Sequence, residues 1–155
     1  MGRVSRYPGP WYGDFRKRMP FEKDVRVRFP EARGRQSRTP GLRGWMYELT
    51  LAVDHYEARK VQILFAMPIP QEPRVFVDGP KSPHRYGDGA LCMWFPKSPP
   101  GKRWRFDDGL ELLIGHVMVH LFKEAWWQQY GEWLGEETPH GELPVTRQAI
   151  RTPAA

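Results

Sequence analysis

The chain has 155 residues, enough for one domain with a real core, and 40 % hydrophobic and 14 % aromatic residues, seven of them Trp, exclude a disordered polypeptide. A single Cys excludes an intramolecular disulfide and any CxxC zinc site, which fits a reducing, cytoplasmic setting. The net charge of +6 is uneven: residues 1–44 hold twelve of the 24 basic side chains and only four of the 18 acidic ones, so the remainder is slightly acidic.

The N-terminal segment MGRVSRYPGPWYGDF has no apolar stretch of signal-peptide type. Pro8, Pro10 and Pro20 bracket a short helix predicted from Trp11 to Met19. Alternation of Val25, Val27 and Phe29 with Arg26 and Arg28 predicts a first strand with a wet basic face. Arg33 to Gly44, rich in Gly, Arg, Ser and Pro, reads as a loop. A second strand follows, with Trp45, Tyr47, Leu49, Leu51 and Val53 on one face, and a third carries Val61, Ile63, Phe65 and Met67. The segment MPIPQEPR interrupts before a short fourth strand, Val75 to Val77. Short connections imply pairing in sequence order, as an antiparallel meander.

About thirty residues rich in Pro and Gly come next, carrying Tyr86, Trp94, Phe95, Trp104 and Phe106. So many aromatics must pack, which makes this an ordered excursion of the functional kind. Asp107 or Asp108 is expected to cap a helix that runs to about Tyr130 and stops at Gly131. Its apolar core, Leu110 to Trp127, is broken by Glu111, His116, His120, Lys123 and Glu124, so it does not read as a membrane span. Residues 141–155 read as a flexible polar tail after a single domain, residues 1–140.

Cys92 closes the segment HRYGDGALC, His84 to Cys92. Thiol chemistry needs an accessible thiolate and a donor for the charge that develops on the carbonyl under attack. A loop with Gly87 and Gly89 can bring backbone and side chain close to a flat substrate. Taken alone, a lone Cys is more often a small buried hydrophobe.

The pattern resembles the ubiquitin-conjugating enzyme family in its bacterial branch. Setting Gly89, Ala90, Leu91 and Cys92 on the family's Gly-x-Ile/Leu-Cys places His84 where the Asn of His-Pro-Asn stands, with Ser82 and Pro83 on its His and Pro. The bacterial members read roughly H-x-Y-x-D-G-x-L-C and later carry a W-x-G segment ending in His, as does GEWLGEETPH, Gly131 to His140. The resemblance runs from about Trp45 to His140. It implies an α+β fold: a four-stranded meander packed against helices, with an active-site loop before the long C-terminal helix. It also implies an enzyme that takes the C-terminus of a ubiquitin-like modifier protein from an activating, adenylating enzyme as a thioester on Cys92. The modifier then passes to an amine on a target protein, without cofactor or metal. Anti-phage defence operons are the implied context.

Within that resemblance His84 either acts on the reacting groups, donating to the oxyanion or accepting a proton from the attacking amine, or braces the loop. Tyr86 and Asp88 are expected to support the loop, Asp through a turn and Tyr by burying its ring with the hydroxyl bonded. His140 is expected to fold back toward Cys92. His116, His120 and Glu124 share a helix stripe at i, i+4 and i+8, but HVMVH lacks the Glu of HExxH, so they read as core or interface residues. Two other classes remain. One is an inert module that holds a ubiquitin-like protein; the other, disfavoured, is a nucleic-acid binder using the basic third with its interleaved aromatics. That third reads instead as a docking surface for an acidic partner.

Overall fold

The computed structural model describes residues 9–53, 56–80, 82–94 and 97–135. His140 and residues 141–155 lie outside these. A 3-10 turn, Trp11–Gly13, leads into α1, Phe15–Phe21, whose first turn is capped by the Asp14 carboxylate accepting from the Arg16 N–H at 3.0 Å. Pro20, expected to end this helix, is held in its last turn.

The strand expected over Val25 to Phe29 is instead a one-turn helix, α2, Val25–Arg28. Val25 is buried while Val27 is 83 % exposed, which a two-residue alternation with one buried face does not permit. Val25 and Phe29 are four apart, a spacing that strand and helix periods share, and they meet the core together. The first strand comes later, inside the expected loop: β1, Arg33–Ser37, is followed by β2, Gly44–Leu51, β3, Arg59–Phe65, and β4, Pro73–Val77. They form one antiparallel sheet in the order β1-β2-β3-β4, the expected meander with its first member displaced. Register is set by pairs such as Tyr47↔Ile63 and Ile63↔Val75, which place every second residue on one face.

That face, Tyr47, Leu49 and Leu51 with Val61, Ile63, Phe65, Val75 and Val77, packs against α3, Gly109–Tyr130. Leu110, Leu113, Ile114, Val117 and Leu121 supply the helix side at 3.6-residue spacing. Trp11 and Phe21 close one end: Phe21 stacks on Phe106 at 4.9 Å and meets Phe65 edge-on at 5.4 Å. Asp108 precedes α3 but does not cap it. Its carboxylate accepts from the Arg105 N–H at 2.8 Å and closes the preceding 3-10 turn. Gly131 ends the helix in the left-handed region, φ +72°, its N–H bonded to the Trp127 carbonyl. No helix of the described residues is long and apolar enough to cross a membrane.

Four arginines of the basic third meet acids. Arg16 pairs with Asp14, Arg26 with Glu22, Arg28 with Glu111 on α3 and Arg35 with Glu48 on β2. Arg18 lies 4.2 Å over the Trp45 ring.

Candidate active site

The segment from His84 to Cys92 folds back on itself as a small hairpin. The Cys92 N–H donates to the His84 carbonyl at 2.9 Å, Tyr86 N–H to the Ala90 carbonyl at 2.8 Å, and Arg85 bridges Leu91. Gly87, Asp88 and Gly89 make the tip, where Gly89 takes φ +91° and its N–H returns to the Tyr86 carbonyl. Asp88 tightens the tip by accepting from the Ala90 N–H at 2.9 Å and pairs with Arg74 of β4. The Leu91 N–H donates to the Val75 carbonyl at 2.8 Å, so the hairpin is docked on the outer edge of β4.

Arg85 fixes the other side. Its guanidinium meets the Glu124 carboxylate of α3 through two nitrogens, at 2.7 and 3.3 Å, and donates to the Val77 carbonyl at 2.9 Å. The Ser82 hydroxyl adds a 2.7 Å bond to the same carboxylate. Glu124 is only 3 % exposed, and a carboxylate is stable there because charged and polar donors surround it. Sequence reasoning passes over Arg85 and sees Glu124 only as part of a stripe with His116 and His120. The two residues lie 39 apart in the chain, and no local pattern joins them. His120 lies 3.9 Å from Glu124. No group of three or more His, Cys, Asp or Glu among the described residues is placed to hold a metal ion.

Cys92 is 4 % exposed and the Tyr86 hydroxyl hydrogen-bonds to its sulfur. Burial pushes the thiol pKa up, and the Tyr86 bond, which favours the thiolate, pulls against it. Tyr86 itself is held above the ordinary phenol range, first by desolvation and then by the sulfur. Tyr86 as a whole is 47 % exposed, more than the expected burial of its ring, while its hydroxyl bonds to the Cys92 sulfur.

Beyond the sulfur lies a cleft of about 110 Å³ shared by His84, Cys92, His116, His120, Lys123 and Trp133. His84 is buried, its ring centroid 4.1 Å from that of Trp133, which follows α3 and also contacts His120 at 5.2 Å. The hairpin and α3 thus bring His84, Tyr86 and Cys92 together, and add His116, His120 and Lys123 from the helix. A larger groove of about 760 Å³ borders the same hairpin at Tyr86, Asp88 and Leu91, with Arg74, Trp94 and Arg103 on its walls.

A protein-family model, E2-CBASS, described as type II CBASS E2 protein, matches residues 15–141. No curated protein and no solved structure matches the chain.

Proposed function

From the premise that the chain belongs to the type II CBASS E2 family, E2-like conjugating proteins of bacterial anti-phage defence, we propose that Cys92 is its thioester-forming nucleophile. In this reading Cys92 attacks the activated C-terminus of a ubiquitin-like modifier carried by an adenylating enzyme. It holds the acyl group as a thioester and yields it to an amine on a target protein, and the sulfur leaves as the C–N bond forms. The observation that carries the reading is the placement of the sole thiol at the clamped base of the hairpin, beside the Tyr86 hydroxyl and a histidine-lined cleft. A thioester reacts with amines without further activation, so the site needs positioning more than strong chemistry. His84 serves it by bracing: its carbonyl takes the Cys92 N–H and its ring is packed on Trp133. Tyr86 and Asp88 hold the thiol and the tip.

Incubation with a matched activating enzyme, its modifier and ATP should yield an adduct that a thiol reductant removes. Cys92→Ser should give a reductant-stable ester or none; a reductant-sensitive adduct that persists in Cys92→Ser would rule the assignment out.

One observation favours a second reading, a non-catalytic module for a ubiquitin-like protein: the burial that raises the Cys92 pKa also shields the thiol. Alkylation of the native protein separates the two. If Cys92 reacts only on unfolding, the module reading replaces the first.

A further inference from the structure

Three histidines share the Cys92 cleft, and their surroundings divide them. His84 and His120 are both almost fully buried and both pack on Trp133. His116 is half-buried, one helical turn before His120. Its ring meets that of Trp94 edge-on at 5.5 Å, and among the described residues it has no hydrogen-bond partner. An amine that attacks an acyl group on Cys92 arrives from solvent, so the group that receives its proton must reach both solvent and the sulfur's cleft. His116 alone of the three meets both conditions.

We infer that His116 is the proton acceptor for the attacking amine, a catalytic role that rests on the thioester reading. The amine nitrogen bonds to the thioester carbonyl carbon and the carbon–sulfur bond breaks. The proton lost by the amine goes to the imidazole and from there to the departing Cys92 sulfur, leaving an amide and a free thiol. No other reactant is required. Burial lowers the His116 pKa, against a smaller opposing pull from Asp108 at the start of α3, so the ring is neutral and receptive at pH 7. Burial raises the Cys92 pKa, so transfer from imidazolium to thiolate runs downhill. The other charged or titratable groups in the cleft are Lys123 and His120 on the same helix and His84 on the hairpin.

The test needs no natural modifier. The full chain is loaded on Cys92 with a synthetic peptide thioester ending in glycine, and the first-order discharge of loaded protein to free lysine is followed from well below pH 6 up to pH 9. His116→Gln, and His116→Phe, which keeps a ring against Trp94, should both discharge about 10²-fold more slowly at pH 7.5. The ratio of wild-type to variant rates should shrink as pH falls through the His116 pKa, because imidazolium cannot accept a proton. Added imidazole should restore part of the rate. A ratio near one, or a pH-independent loss that imidazole does not repair, overturns the inference and leaves His116 as packing. Wild-type protein that cannot be loaded at Cys92 overturns the thioester reading itself, and this inference with it.

Discussion

At Cys92 two effects of opposite sign meet on one sulfur, and burial outweighs the Tyr86 hydrogen bond. The thiolate is therefore the minor form at neutral pH. Native alkylation of Cys92 should rise steadily with pH through the neutral range, where a low-pKa thiolate site would already have levelled off. Tyr86→Phe removes a donor that favours the thiolate and should slow alkylation at pH 7.5. Such a bond to a charged group is worth about 1 kcal/mol here, after discounting for the solvent around Tyr86, or roughly 5-fold in rate. A Tyr86→Phe protein that alkylates as fast as wild type would show that the hydroxyl does not act on the sulfur. Trp126 and Trp127 are half-buried, with indole N–H groups that have no partner among the described residues.

The element that organises the site is the hairpin, and its attachment to α3 runs through one buried ion pair. Removing one charge strands the other: Glu124→Gln leaves the Arg85 guanidinium in place without its counter-charge, which costs about 3 kcal/mol. For a chain of this length that is a fall of roughly 6–12 °C in Tm, measurable by calorimetry. Replacing both, Arg85→Met with Glu124→Leu, should recover much of the loss, because two apolar side chains need no partner. If Glu124→Gln melts with wild type, the hairpin is held by its backbone bonds to β4 alone. These residues also show what can be read from a sequence. The later strands and α3 are legible because their apolar spacing is regular, whereas β1 carries no apolar residue and buries only Ser37, so its pairing with β2 leaves no periodic trace. Val25 to Phe29 misleads because a four-residue separation belongs to both periods. His84, Tyr86, Asp88 and Cys92 lie within nine consecutive positions, so their grouping on the hairpin is legible as a local motif. Arg85–Glu124 and the approach of His116 are products of the tertiary fold and have no such signature.

Across the whole molecule, charge separates the N-terminal third from the body, and pairing takes up part of that charge. Arg18 belongs to the packing around Trp45, and Arg28 and Arg35 tie their segments to α3 and β2. Lys17 and Arg16, both exposed on α1 with Arg16 beside its own cap residue Asp14, form the basic face that we propose meets an acidic partner such as an activating enzyme. Reversing both, Arg16→Glu with Lys17→Glu, should slow charging about 10-fold at low salt, with the difference narrowing as salt is added, because encounter rather than docked affinity is affected. Discharge of preformed thioester should be unchanged. A salt-sensitive complex with DNA or RNA that the reversal abolishes, with charging untouched, would reassign this face. The hairpin itself does a second job at this scale. The outward carbonyls of Val75 and Val77 on β4 are taken by the Leu91 N–H and the Arg85 guanidinium, so the loop that holds the thiol also covers one border of the sheet. The other border, β1, presents Arg33 and Arg35 to solvent, charges that discourage a neighbouring chain from pairing. A variant that loosens the hairpin would therefore uncover backbone ready to join another molecule, and impaired chemistry and self-association should appear in the same mutants.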